Sequence, residues 1–115
     1  MMSLQAELNR NQVIYLTIAE YSGKDLKKPF LVSEAYKLVG EKLKELNASQ
    51  SKIQKKTFMS DVNEMLQNTQ KDPNKLTLHL ARKYGQKMKD VTGKTLITAN
   101  NFDDSNLYLS TEKLG

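Results

Sequence analysis

The chain of 115 residues has no cysteine, so it can build neither a disulfide framework nor a thiolate metal site. Long hydrophobic runs are also missing. The longest apolar stretch, Val13 to Ala19, is broken by Thr17 and falls far short of the ~18 residues a membrane span needs. No charged, apolar and cleavable segments follow one another at the start, so nothing marks the chain for secretion. These absences lead to the expectation of a cytoplasmic protein with no membrane role. Hydrophobic residues at 38% and charged residues at 27% fit one globular domain over residues 1–115, with a frayed tail from about 111.

Groups that commonly carry catalysis are scarce. His79 is the single histidine, and on a helix its neighbours would be Lys75, Leu76, Arg82 and Lys83, none of them a carboxylate that could orient it. Gly93-Lys94-Thr95 looks like part of a phosphate loop, but position 88, where that motif needs a glycine, is Met88. A helix-terminating glycine explains Gly93 better. Asp61 and Glu64 are two carboxylates at helical spacing, too few for a metal site and better read as partners of Lys55 or Lys56. Asp103 and Asp104 lack the alternating ligands of a calcium loop. The expectation is a protein that is not an enzyme, with no catalytic residues, no metal and no cofactor.

Positive charge is abundant, and it is unevenly placed. The net charge is +5, of which residues 1–46 carry +1 (7 basic, 6 acidic), residues 47–100 carry +6 (10 basic, 4 acidic) and residues 101–115 carry −2 (1 basic, 3 acidic). Such a field favours an anionic partner. Sixteen of the eighteen basic residues are lysine, a point charge suited to phosphate rather than to bidentate guanine reading.

The stretch Ser49 to Gln67 organises the chain. At about 100° per residue, Lys52, Lys56, Ser60, Asn63 and Gln67 fall on one side, and Phe58, Met59, Val62, Met65 and Leu66 on the other. Ser49 or Ser51 can serve as its N-cap. Lys52, Lys55 and Lys56 then stand in the first turns, where they oppose the helix dipole unless that end approaches phosphate.

The remaining elements predict a compact, mainly α bundle of four helices with a helix-turn-helix-like middle pair. Leu4–Tyr21 reads as the first helix, buried on more than one face of its second half and ended by Ser22-Gly23; an interrupted strand at Val13–Ile18 is the alternative. Pro29 closes a basic connector, and the second helix starts at Ser33 with Val32, Ala35, Val39, Leu43 and Leu46 as its stripe. Asp72-Pro73 restarts the chain into a fourth helix carrying Leu76, Leu80, Ala81, Tyr84, Met88 and Val91, ended at Thr92-Gly93. Lys94–Ala99 and Asn106–Ser110 read as a short C-terminal β-hairpin around the NNFDDS loop.

The segment KKTFMSDVNEML is similar in pattern to the reading helices of bacterial winged-helix repressors, and a hairpin after the helices would resemble their wing. The second helix departs from that pattern, being longer and without the tight Gly-containing turn. The resemblance implies a double-stranded DNA partner, with Lys52, Lys55, Lys56, Ser60 and Asn63 facing the groove and Arg82, Lys83 and Lys87 adding phosphate contacts. A different reading is a helical protein–protein interaction module (a regulator, an immunity-type factor, or a phage or plasmid accessory) in which lysines give solubility and methionines give contact surface. The five tyrosines do not interleave with the lysines along the sequence as a single-strand stacking platform would require. Exposure of Met59 together with Leu31 would point to a homodimer.

Overall fold

Asn9 starts the first helix through a reciprocal pair of bonds. Its side chain accepts the Gln12 N–H at 2.9 Å, and the Gln12 side chain accepts the Asn9 N–H at 2.9 Å. The structure, a computed structural model, describes residues 9–46, 53–68 and 76–115. From that cap, α1 runs Arg10–Ser22 and stops at Gly23, whose φ of +65° suits glycine and whose N–H donates to Glu20 O at 3.1 Å. Val13, Ile14, Thr17 and Ile18 form one buried stripe. The hydroxyl of Thr17 turns back to Val13 O at 2.6 Å, which satisfies it inside the core. The strand alternative for Val13–Ile18 is therefore overturned. So is burial on several faces, since Leu16 and Tyr21 are exposed. Residues 4–8 of the predicted helix lie outside the described residues.

After Pro29 a two-residue strand, β1 (Phe30–Leu31), leads directly into α2 (Val32–Leu46). Val32, Ala35, Val39 and Leu43 are buried as their spacing predicts. The organising helix, α3, spans Lys55–Leu66 with Gln54 at its N-cap position and no side-chain cap bond. Lys55 and Lys56 are thus its first two residues. Ser49 and Ser51, offered as caps, lie outside the described residues, as does Lys52. Phe58, Val62, Met65 and Leu66 form the buried face of α3.

The fourth helix does not form, and this overturns the mainly α bundle of four helices. Residues 79–90 make an antiparallel hairpin instead: β2 (His79–Tyr84) and β3 (Lys87–Asp90), joined through Gly85-Gln86. Gly85 takes a φ of +63° at the first turn position, where both hairpin-favouring two-residue turns need a positive φ. A glycine there would weaken a helix by about 1 kcal/mol, and the alternation Leu78, Leu80 against Thr77, His79 fits a strand as well as the longer spacing fits a helix. Asp72 and Pro73 lie outside the described residues.

The predicted C-terminal hairpin is also corrected. Residues 94–99 form no strand, whereas β4 (Leu107–Ser110) inserts between β1 and β2. The resulting sheet is antiparallel throughout, in the order β1-β4-β2-β3, with Leu109 opposite both Phe30 and Leu80. The described residues thus form an α+β fold of three helices and one four-stranded sheet. Thr111, just beyond β4, is buried and donates to Leu26 O at 3.1 Å.

The core lies between the helices and one face of the sheet. It joins Ile14 and Ile18 of α1, Val39 of α2, Phe58 and Val62 of α3, and Leu80, Leu107 and Leu109 of the sheet. An edge-to-face aromatic trio marks one end: Tyr36 and Phe58 at 5.2 Å, Tyr36 and Phe102 at 5.6 Å, Phe58 and Phe102 at 6.2 Å between centroids. The Tyr36 hydroxyl donates to Ile53 O at 2.7 Å, fixing the approach to α3. Among the described residues, no helix is long and apolar enough to cross a membrane.

Candidate nucleic-acid interface

Lys55 and Lys56 open α3 with no acidic residue in that first turn. Lys56 is exposed, and Ser60, one turn on, is exposed beside it. Lys55 is held more firmly: its Nζ stands 4.6 Å from the centroid of the Phe102 ring, a cation–π contact that also covers the buried ring. Asn63, expected on the same face, is engaged elsewhere. Its Nδ2 donates to Ile97 O at 2.9 Å and its Oδ1 accepts the Ile97 N–H at 2.8 Å. It anchors a loop.

The acidic residues of α3 turn toward α1 rather than toward its own lysines. Asp61 receives the Arg10 guanidinium at 2.8 Å, and Glu64 accepts the Asn11 side-chain N–H at 2.9 Å. The predicted pairing with Lys55 or Lys56 is therefore replaced. No group of three His, Cys, Asp or Glu that could hold a metal ion occurs among the described residues.

Arg82, Lys83 and Lys87 belong to the hairpin, and the pleat separates them. Cross-strand pairing sets Tyr84 opposite Lys87 and Arg82 opposite Lys89, so these four share one face; Lys83, opposite Met88, points to the other. Lys83, Lys87 and Lys89 are exposed. Arg82 is half-buried and donates to Asp104 at 2.7 Å. That bond, with a second from the Asn106 N–H at 2.8 Å, holds the Asp104 carboxyl below its ordinary range. Sequence reasoning missed Lys89 and Tyr84. The signal available for them was Tyr-Gly-Gln-Lys, a glycine turn flanked by strand-compatible residues. Read as a hairpin, it also overturns the view that no tyrosine interleaves with cations.

The loop over residues 91–106 ties these parts together. It presents Ile97 to Asn63, Phe102 to Lys55 and Asp104 to Arg82, so the start of α3 and the base of the hairpin are braced by one segment. Gly93, with a φ of +83°, follows β3 rather than a helix, and no helix opens after Thr95. The phosphate-loop reading has no support there. His79 is a half-buried strand residue, not a helical one, and burial pushes its pKa down against the opposing pull of Asp90 and Glu112. Leu31 and Met59 are half-buried, and Met59 packs on the core, so the condition set for a homodimer is not met. Met65 is buried.

Compared with known proteins, the chain matches no family model, no curated protein and no solved structure.

Proposed function

We propose that the protein is a small, non-enzymatic nucleic-acid-binding regulator that contacts backbone phosphates through two basic elements, the start of α3 and the β2–β3 hairpin. The observation that carries this reading is that one loop braces both Lys55 and Arg82, while Lys56 on α3 and Lys83, Lys87 and Lys89 on the hairpin are exposed. The eight residues between α2 and α3 exceed the three or four of a tight helix-turn-helix turn. That length, with the scarcity of arginine, favours phosphate contact over reading of base edges.

Anisotropy of a labelled generic duplex, titrated at several salt concentrations, tests the proposal. Four to five phosphate contacts give a log–log slope of about −4. Lys56→Glu and Lys87→Glu should each reduce its magnitude by about one. Lys44→Glu, on the outer surface of α2, should change it less. Absence of binding at low salt would sink the proposal.

A protein-binding module is the second reading, and one observation favours it. Leu16, Tyr21, Leu26 and Leu46 are all exposed large apolar residues in the first half of the chain.

A further inference from the structure

The β2–β3 ribbon places an aromatic ring among cations. Tyr84 ends β2 and is 55% exposed. Its directly opposed partner is Lys87, and the neighbouring pair on the same face is Arg82 and Lys89. Gly85, the next residue, adds no side chain, and a Cβ there would meet nothing within 4 Å. The ring therefore stands at an open tip with a lysine beside it. On this face Arg82 is engaged by Asp104, while Asp90 lies on the opposite face, where it accepts from the Thr92 hydroxyl at 2.7 Å.

Lysines alone suit any phosphate backbone, duplex or single-stranded. An exposed ring adds a flat surface for which a closed duplex has no complement, because its base faces are already stacked on one another. An unpaired base has such a face free, and base–aromatic stacking beside cations is how sequence-tolerant single-strand binders work. From this juxtaposition we infer that the hairpin holds single-stranded nucleic acid, one base stacked on Tyr84 and the flanking phosphates on Lys87 and Lys89. The inference rests on the nucleic-acid reading above and narrows it to strands with an unpaired stretch.

Two probes separate the inference from that reading: a labelled twelve-nucleotide oligodeoxythymidine and a labelled duplex of the same length, at one low salt concentration. The wild-type protein should bind the single strand more tightly than the duplex. Tyr84→Ala should weaken single-strand binding about tenfold while leaving duplex binding within about twofold, and Tyr84→Phe should retain both. Circular dichroism melts of both variants confirm that the exposed substitution leaves the fold intact. Duplex binding without single-strand preference, or a Tyr84→Ala loss that is absent or equal on both probes, overturns this inference and leaves the broader reading standing. Failure of the wild type to bind either probe overturns both.

Discussion

The side chain of Asn63 replaces a strand partner for Ile97, filling both of its backbone hydrogen-bonding positions at 2.9 and 2.8 Å. Asn63→Ala leaves that donor and acceptor without partners in a half-buried place. It should cost about 2 kcal/mol of stability, read by urea unfolding. If the folded variant instead loses nucleic-acid affinity at unchanged stability, Asn63 belongs to the interface after all.

Phe58 sits where the three rings meet and is fully buried. Replacing it with alanine should remove about 3–5 kcal/mol, enough to unfold a domain of marginal stability. Phe58→Leu keeps most of the volume and should remain folded with a lower Tm. A cooperative, unshifted melt for Phe58→Ala would contradict this core.

Asp104→Asn removes the charge that occupies Arg82. The freed guanidinium becomes a further cation on the ribbon, so duplex binding should tighten and the salt slope should steepen by about one. The same pair carries a pH dependence. The folded protein holds the Asp104 carboxyl below its unfolded value, so its contribution is present above about pH 4 and is lost as pH falls through the folded value. Acid unfolding of Asp104→Asn should show a smaller dependence over that range. Unchanged affinity would mean that Arg82 serves the loop alone.

His79 works in the opposite sense. Burial lowers its folded pKa, so below the unfolded value of about 6.5 the unfolded chain takes up a proton that the folded chain resists. Stability should decline as pH falls from about 6.5 toward 5. Because His79 is the single histidine, His79→Gln should flatten that decline. An equally steep decline in the variant would assign it to the carboxylates.

Much of the helical part of the fold was legible in the sequence. Ser22-Gly23 does end α1, the stripe of α2 is buried through Leu43, and the apolar side of α3 faces the core, because in each case one period served both local geometry and burial. The hairpin was not legible, for a specific reason. Leu76, Leu80, Tyr84 and Met88 recur every four residues, a spacing that satisfies helical and alternating patterns alike, and the surrounding lysines and glutamine favour helix. What decides between them is Leu109 lying opposite Leu80, a contact 29 positions away (109 − 80) that no local window contains. The candidate site divides in the same manner. Lys55 and Lys56 could be placed on a helix start from local pattern, but Asn63 looked free because Ile97 lies in an aperiodic loop. Tyr84 was expected on the apolar stripe of a fourth helix; it stands exposed opposite Lys87 because the chain turns at Gly85 instead.

Phe30 and Leu109 pair across 79 positions (109 − 30), and β1, the strand that carries Phe30, is two residues long. On a ribosome adding about 5–20 residues each second, Phe30 therefore waits about 4–16 s for its partner to be made. Within that interval α2 and α3 are made and can pack on α1, but their apolar sides still lack Leu107 and Leu109. The sheet under these helices is completed only when β4 arrives between β1 and β2, both of which are made before it.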